Sequence, residues 1–341
     1  PGSRPPIVPP VPRARVRSRD RWNRLIPDAM QLSLAQLSLA LILPGAPPTR
    51  LSGGSRAPGV VAEETRDAEK EYASSCYLPT EWTPLALLAK TEYNHDSTLY
   101  DFELPEGTSL NLPACACILL LAPGAEKDGS DAVRPYTPIS ANEVSGRFQL
   151  LVKRYAQGAV SQYLHALEPG AMVSFKHIAF NVKRQYPFAP ARTISLIAAG
   201  TGIAPVYQAL LRLMNEPGDD RQVVLLYGNK SPADILLKGE LDAMVTKAAG
   251  RLKVVHVVGE TPDAPPPPGW ASTATYTAEV GWVDEAKMSK YLFPPAEDTA
   301  VFVCGLPVQY DAWCGPRTEA ELAEGTALHR LGYTSATVAK M

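Results

Sequence analysis

The sequence predicts two domains of different class, an antiparallel Greek-key β-barrel followed by a parallel, doubly wound α/β domain. Short apolar runs separated by turn signals recur from about residue 85 to residue 176, which is typical of antiparallel strands in a barrel. After Pro190, continuous apolar runs alternate with helical segments, which indicates a parallel sheet joined by helices. We therefore expect an extension over residues 1–75, partly disordered, the barrel over 76–190 and the α/β domain over 191–341.

The barrel strands are expected where apolar residues lie between turn-forming residues, at residues 85–90, 98–104, 116–121, 148–153 and 172–176. The second domain is expected to have strands at 193–199, 223–227, 252–258 and 300–304. Its helices are expected from the turn at 200–205 to residue 214, over 238–249 and over 319–331, with a surface loop at 265–268.

Composition describes a globular protein that does not bind nucleic acid. The chain has 341 residues, of which 45% are hydrophobic and 20% charged, and this length suits two domains. Residues 1–27 hold seven arginines and a single acid, Asp20, so the remaining residues carry −8 of the total charge of −2. An acidic body argues against nucleic-acid binding.

Cysteine and histidine usage gives no sign of a metal site. The five cysteines are odd in number and form no C-x-x-C pair, so neither zinc nor a disulfide framework is expected and a reducing compartment is favoured. Cys115 and Cys117 alternate along an apolar run and are expected to face one side of a packed sheet. The histidines are scattered and are interpreted as structural or exposed: His95, His165, His177, His256 and His329.

The extension has the character of a targeting segment or a membrane-surface anchor. Residues 1–27 are rich in arginine and proline, and the apolar run at 29–43 is interrupted by polar residues and too short to span a bilayer. A disordered tail explains the same composition equally well. Residues 44–58 predict a linker and 63–72 a short charged helix, and because the chain begins with proline we expect residues to be missing before Pro1.

The segment Arg134-Pro-Tyr-Thr-Pro-Ile-Ser140 carries the first chemical signal. Arg134 offers a fixed cation with a donor fork suited to phosphate, and Tyr136 offers a flat ring with a hydroxyl. Two prolines hold the segment extended, so these two side chains share a face, and Thr137 and Ser140 add small hydroxyls. This pattern suits a ligand that is aromatic at one end and anionic at the other. A proline-stiffened edge strand is the alternative.

Two glycine-containing turns precede predicted helices. Gly200-Thr-Gly202 lies between a buried strand and a helix, where backbone amides can approach a pyrophosphate. Gly158-Ala-Val-Ser161 opens another helix, with Ser161 expected as its N-cap and a phosphate on the same amides. A tight turn without ligand and an ordinary capped helix are the respective alternatives.

Two residues lie where parallel strands end. Asp234 follows the second parallel strand and can accept the ribose hydroxyls of an adenosine while repelling a 2′-phosphate; a helix N-cap is the alternative. Cys304 and Gly305 end the strand predicted at 300–304, at the carboxyl edge of the sheet, where a thiol beside a nicotinamide could shape the geometry of hydride transfer. The alternative is that Cys304 is a buried small side chain.

Together and in this order, these segments resemble the NADH–cytochrome b5 reductase branch of the ferredoxin–NADP reductase superfamily, over about residues 85–341. The resemblance implies an FAD-binding barrel, an NAD-binding α/β domain, and electron transfer from NADH through FAD to a one-electron haem acceptor such as cytochrome b5. FAD and NADH are the implied cofactors. No catalytic base is needed, since the protein positions two rings and tunes the flavin.

The resemblance also implies roles for single residues. Arg134 binds the FAD pyrophosphate, Tyr136 lies against the isoalloxazine, and Thr137 bonds near N5. Lys153 assists NADH, and the carboxylate of Asp234 favours NADH over NADPH. The implied catalytic residues are Thr137, Lys153 and Cys304, and the implied cofactor-binding residues are Arg134, Tyr136, Thr137, Ser140, Lys153, Tyr155, Gly158, Val160, Ser161, Gly200, Thr201, Gly202, Asp234 and Gly305.

The sequence departs from the family pattern at the nicotinamide end. In Cys304-Gly-Leu-Pro307, Leu306 stands where the family has proline, and Gln309 stands in place of a methionine. The chain ends in Met341 where the family commonly has phenylalanine. We expect a looser loop that weakens nicotinamide docking more than FAD binding.

Three hypotheses follow. The first is the NADH-dependent reductase of a haem protein. The second is a reductase-like structural or accessory subunit of a larger membrane assembly, with reduced turnover. The third keeps the enzyme and changes the acceptor to ferredoxin, a quinone or another haem protein. Residues 1–50 favour an organelle, mitochondrion over plastid, with contact to a membrane surface or membrane complex.

Overall fold

The structure is a computed structural model that describes residues 76–178, 184–259 and 269–341. The linker and helix predicted over residues 44–72 and the loop predicted at 265–268 lie outside the described residues, as does the whole extension.

The first sheet is antiparallel. Its strands are β1 (Thr83–Glu92), β2 (Ser97–Glu103), β3 (Ile118–Ala122), β4 (Ala132–Tyr136), β5 (Arg147–Lys153) and β6 (Met172–His177), with helix α1 (Ala159–Ala166) before β6. They pair in the order β4-β3-β6-β1-β2-β5, in which β6 returns to lie beside β1 as in a Greek key. Alternating residues of these strands fill one core, where the rings of Phe102, Phe148 and Phe175 lie 4.7–5.4 Å apart.

The second sheet is parallel throughout. Its elements are β7 (Thr193–Ala199), α2 (Ile203–Asn215), β8 (Gln222–Asn229), α3 (Lys238–Lys247), β9 (Leu252–Val258), β10 (Thr277–Val280), α4 (Glu285–Tyr291), β11 (Thr299–Cys304), α5 (Pro307–Trp313), α6 (Ala327–Arg330) and β12 (Val338–Lys340). The strand order is β10-β9-β8-β7-β11-β12. The chain builds outward from β7 in one direction and then restarts at β11 on its other side. This doubly wound order places a topological switch point between β7 and β11.

Strand β7 shows why the sheet is buried on both faces. Ile194, Leu196 and Ala198 pack into the core that contains α2 and α3, while Ile197 and Ala199 pack into the core on the opposite face. Because successive side chains of a strand point to opposite faces, a continuous apolar run is needed here. The predicted fold class is confirmed.

Two local predictions are wrong. The helix expected over residues 319–331 is reduced to Ala327–Arg330, because Gly325 has φ +76° and the buried Lys340 ammonium takes the carbonyls of Pro316 and Glu321. Cys115 has φ +71° in a turn before β3, so Cys115 and Cys117 do not alternate along a strand. Among the described residues, no helix is both long enough and apolar enough to cross a bilayer.

Candidate active site

The switch point brings two glycine-containing loops into direct contact. Gly200–Gly202 forms a single 3₁₀ turn after β7, and Cys304 ends β11 beside it. A Cβ on Gly202 would lie 2.4 Å from the carbonyl oxygen of Cys304 and 2.7 Å from its carbonyl carbon. Gly200 has φ +52°, a conformation that glycine adopts without strain. Glycine is required at Gly200 because the backbone turns there, and at Gly202 because the backbone of Cys304 comes close. Both positions lie in the crevice where open α/β sheets bind ligands.

A buried tyrosine hydroxyl holds the Gly200–Gly202 turn in place. Tyr227, at the end of β8, is fully buried, and its hydroxyl donates to the carbonyl of Gly200 at 2.9 Å. The same oxygen accepts the amide N–H of Leu236 at 3.3 Å, just beyond Asp234. Burial raises the pKa of Tyr227, so it stays a neutral donor. Sequence reasoning missed this residue, although a tyrosine closing a fully buried strand needs a partner for its hydroxyl.

Asp234 faces the antiparallel domain rather than capping a helix. It lies in the short turn Pro232–Asp234, and α3 begins only at Lys238. Lys153, at the end of β5, places its ammonium 3.1 Å from Asp234 Oδ1 and 2.6 Å from Asp96 Oδ2. Ser231 donates to the other oxygen of Asp234 at 2.7 Å. The structure thus joins Lys153 and Asp234, which the sequence singled out separately.

The charges of this pair are fixed at neutral pH. Burial acts to raise the pKa of Asp234, but the hydrogen bond from Ser231 and the charge of Lys153 outweigh it, so the pKa is lowered. Burial acts to lower the pKa of Lys153, but Asp96 and Asp234 outweigh it and the pKa is raised. His95 is exposed, as expected, and its imidazole also lies here, 3.6 Å from Asp234. The Lys153 ammonium between the two carboxylates makes this cluster an ion-pair network.

The strand β4 presents Arg134 and Tyr136 as the sequence predicts, at alternate positions. Arg134 is half exposed and its guanidinium contacts Glu126 at 2.8 Å and the carbonyl of Val133 at 2.9 Å. Tyr136 is largely enclosed, and burial raises its pKa to about 12 despite the nearby charge of Arg134. One side chain therefore offers an accessible cation and the other a neutral phenol with a ring face.

The residues that follow are tied to the second domain. Ser140 Oγ accepts the amide of Gln149 at 3.1 Å, whereas the hydroxyl of Thr137 has no hydrogen-bond partner among residues 76–178, 184–259 and 269–341. Gln208 of α2 donates through Nε2 to the carbonyls of Pro138 at 2.6 Å and Ser140 at 2.8 Å. Helix α2, which follows the Gly200–Gly202 turn, thus holds the segment Arg134–Ser140, a link that sequence reasoning missed.

The start of α1 differs from its prediction in detail. Gly158, not Ser161, is the N-cap, and no side chain caps the helix. Ser161 is the third helical residue, and its hydroxyl accepts the amide of Tyr155 at 3.2 Å and donates to the carbonyl of Gly158 at 3.0 Å. A Cβ on Gly158 would lie 2.5 Å from that hydroxyl. The side chain of Val160 is buried in the barrel core, so only its backbone can face a ligand.

This geometry fits FAD. The first-turn amides of α1 have no helical acceptor and no capping side chain, which suits a phosphate at a helix start. Tyr136 offers an aromatic ring near Arg134, and Tyr155, 43% exposed, offers a second ring near Tyr136. Arg134, Tyr136, Tyr155 and the amides after Gly158 would therefore hold the cofactor.

The loop Cys304–Gln309 is held by hydrogen bonds within the second domain. Burial raises the pKa of Cys304, so the side chain is a neutral thiol rather than a nucleophilic thiolate. The amide of Leu306 donates to Gln309 Oε1 at 2.8 Å, and Pro307 begins α5. The hydroxyl of Tyr310 lies 2.6 Å from the carbonyl oxygen of Met341. The expectation of a looser loop than in the family, and its effect on nicotinamide docking, both stay predictions.

Comparison with known proteins agrees with both domains. The family model described as oxidoreductase FAD-binding domain matches residues 84–179, and the one described as oxidoreductase NAD-binding domain matches residues 196–314. NADH-cytochrome b5 reductase 2 of Scheffersomyces stipitis is 34% identical over 262 residues, which are 76% of this chain and 83% of that protein. NADH-cytochrome b5 reductase 2 of Kluyveromyces lactis is 30% identical over 323 residues, 94% of this chain and 98% of that protein.

Solved structures show the same fold. The cytochrome b5 reductase domain of Ulva prolifera nitrate reductase has a TM-score of 0.64 and 28% identity, covering 77% of this chain and 98% of that chain. A ferredoxin NADP+ reductase from Neisseria gonorrhoeae, with 16% identity and a TM-score of 0.55, covers 76% of this chain and 98% of that one and shows the fold alone.

An antiparallel FAD domain followed by a parallel NAD domain, with glycine loops meeting at the switch point, defines a flavin- and nicotinamide-dependent oxidoreductase. The chain belongs to the NADH-cytochrome b5 reductase family. FAD and NADH are its cofactors, and electrons pass from NADH by way of FAD.

Proposed function

We propose that the protein delivers electrons from NADH to a one-electron haem protein of cytochrome b5 type. The observation that carries this is the pair of hydrogen bonds from Gln208 to Pro138 and Ser140, which joins the flavin segment to the helix of the dinucleotide loop. FAD, when bound, supplies the chemistry, since it accepts two electrons and returns them singly. The names of the relatives support the haem acceptor.

The side chains have positioning roles in this reaction. The guanidinium of Arg134 binds phosphate oxygens, and the ring of Tyr136 packs on the aromatic end of the cofactor. The hydroxyl of Thr137, which has no hydrogen-bond partner among the residues that the structure describes, is available to donate a hydrogen bond to the cofactor. Lys153 orients the carboxylate of Asp234 toward the nucleotide, and the neutral thiol of Cys304 limits where a nicotinamide ring can lie.

The test of the function uses the full chain. Purified protein should show a flavin absorption spectrum after reconstitution with FAD, oxidise NADH with ferricyanide, and reduce cytochrome b5 faster than it reduces a ferredoxin or a quinone. Protein that cannot be reconstituted with FAD would contradict the proposal. Turnover with ferricyanide but none with cytochrome b5 would show that the protein is a reductase and that the proposed acceptor is wrong.

The preference for NADH is proposed to depend on Asp234. Its carboxylate accepts ribose hydroxyls and repels a 2′-phosphate, so Asp234→Asn should increase kcat/KM for NADPH and decrease it for NADH. Steady-state kinetics with both nucleotides check this. Wild-type protein that uses NADPH as well as NADH would show the assignment to be wrong.

A second candidate, a reductase-like accessory subunit, is motivated by Leu306 and Gln309 and by the long extension. It predicts weak or absent turnover in a protein that still folds and is recovered within a larger membrane assembly. The braced loop between Leu306 and Gln309 supports the enzyme instead. Turnover of the isolated protein compared with that of the assembly distinguishes the two.

For location, we propose that residues 1–50 direct the protein to an organelle membrane surface, in mitochondria rather than plastids. Seven arginines against one acid in residues 1–27, followed by an apolar run, support this. Fluorescent fusions of the full chain and of residues 76–341 test it. A matched fusion with the seven arginines changed to glutamine should lose the organelle signal, and unchanged localisation would contradict the proposal.

A further inference from the structure

The turn between β1 and β2, residues Tyr93–Asp96, reaches from the flavin domain to the segment that carries Asp234. Asn94 Nδ2 donates to the carbonyl of Ala233 at 3.0 Å, and Tyr93 donates its hydroxyl to Glu240 at 3.4 Å. Asp96 contacts the same ammonium, that of Lys153, as Asp234 does. One turn thus makes several polar contacts with the nucleotide side of the second domain.

Asp96 competes with Asp234 for that ammonium. Lys153 Nζ is 2.6 Å from Asp96 Oδ2 and 3.1 Å from Asp234 Oδ1, so the closer partner is the carboxylate of the flavin domain. The three side chains are between 11% and 23% exposed, so their charges act through a medium that screens less than bulk water. The position of Lys153 therefore depends on the charge of Asp96.

Leaving aside the exposed imidazole of His95, the network holds two carboxylates and one ammonium and carries a charge of −1. If Asp96 lost its charge, Lys153 and Asp234 would neutralise each other. The field that opposes a second phosphate at the ribose would then largely vanish. The ammonium, released from its closer partner, would also be available to such a phosphate.

We propose that Asp96 is a specificity-determining residue for NADH over NADPH, acting by sharing Lys153 with Asp234, so that the charge of Asp234 is only partly neutralised. The inference rests on the proposed placement of the adenosine ribose at Asp234. The flavin domain thereby takes part in nucleotide selection through a turn that is separate from the flavin segment Arg134–Ser140. Sequence reasoning gave no sign of this, because Asp96 lies 57 residues before Lys153 and 138 before Asp234 in the chain.

The test is the isosteric variant Asp96→Asn in the full-length, FAD-loaded protein. The ratio of kcat/KM for NADH to that for NADPH should fall about tenfold, chiefly through faster use of NADPH. Asp96→Glu keeps the charge and should retain most of the preference. A binding measurement without turnover should agree: adenosine 2′,5′-bisphosphate should bind more tightly to Asp96→Asn than to wild type, and 5′-AMP should change less.

Asp101→Asn is the matched control. Asp101 lies in β2 and pairs with Arg147 at 3.1 Å inside the flavin domain, so the variant removes the same charge without touching Lys153. An unchanged preference in Asp96→Asn, or an equal change in Asp101→Asn, overturns the inference. Wild-type protein without preference for NADH also overturns it. Absence of NADH oxidation in wild type would instead be a failure of the proposed function.

Discussion

The flavin segment, Arg134–Ser140, and the nicotinamide loop, Cys304–Gln309, satisfy their polar groups in opposite ways. Arg134 is held by Glu126, a partner that is itself partly exposed. In the nicotinamide loop the Leu306 amide is held by Gln309, and the neighbouring Tyr310 is held by backbone carbonyls. An exposed ion pair contributes little stability and exchanges readily for a phosphate, whereas the bonds of the loop belong to the fold.

The difference indicates that the two regions prepare for different ligands. The flavin segment has an accessible cation and a Thr137 hydroxyl without a hydrogen-bond partner in the described part of the chain, as the proposed binding of FAD there requires. The nicotinamide loop is already shaped by its own chain, which suits a nucleotide that binds and leaves in each turnover. Substitutions in the first region should therefore act on FAD content, and those in the second on nucleotide kinetics.

The largest effect is expected from Arg134→Leu. Charge-assisted hydrogen bonds to phosphate are worth about 1.5–3 kcal/mol, so FAD affinity should fall about 10- to 100-fold. Fluorescence titration of the apoprotein with FAD measures this. Arg147→Leu is the control, since Arg147 lies in the same sheet but pairs with Asp101. Equal flavin loss in both variants would show that Arg134 has no special role.

Gly202→Ala should spare the flavin and impair the nucleotide side. The new Cβ would meet the backbone of Cys304 at 2.4 Å, which forces the two loops apart at a cost of about 1–3 kcal/mol. NADH turnover should fall about tenfold or more at unchanged FAD content. Gly239→Ala, which would meet nothing within 4 Å in α3, should leave kinetics intact. A fall in FAD content would break the distinction between the two regions.

Tyr227→Phe should have a moderate effect. Loss of the hydroxyl removes the acceptor of the buried Leu236 amide and one of the two donors to the Gly200 carbonyl, which still accepts from the Ile203 amide, at a cost of about 1–3 kcal/mol. KM for NADH should rise several-fold with little change in kcat. Tyr333→Phe removes a hydroxyl bonded to the Phe293 carbonyl, away from both loops. This control should lower the melting temperature as much as Tyr227→Phe does, without changing KM for NADH. If KM rose equally in both variants, the effect of Tyr227→Phe would be a general loss of stability.

Leu306→Pro should have the smallest effect. Leu306 has φ −75° and ψ 158°, which proline adopts without strain. The stiffer unfolded chain should therefore increase the free energy of unfolding by about 0.4–1 kcal/mol. Proline also removes the amide that Gln309 accepts, at a cost of about 0.5–1.5 kcal/mol. Turnover with NADH should therefore change less than about threefold. Gln309→Met removes the acceptor alone and serves as control. A large increase for Leu306→Pro would support the expectation that Leu306 loosens the loop relative to the family.

Elements with a regular pattern were predictable from sequence. Strands 193–199 and 252–258 match the structure residue for residue, because buried parallel strands read as continuous apolar runs between turns. The helix expected over 319–331 is confined to Ala327–Arg330, since the ammonium of Lys340 on β12 bonds the Glu321 carbonyl and the backbone turns at Gly325, which the local pattern does not reveal. The N-cap expected at Ser161 failed because a serine three residues into a helix can bond backward to Gly158 as well as forward.

The sequence by itself determined the order of the domains, the family, and the glycines and prolines where the backbone must turn, because these depend on local pattern and on residue types with few conformations. Only the tertiary structure decided which of these segments meet. Gln208 and Pro138 are 70 residues apart, and Lys153 and Asp234 are 81 apart, on different domains. Such pairs are set by the packing of one domain against the other, and no periodicity within either segment specifies its distant partner.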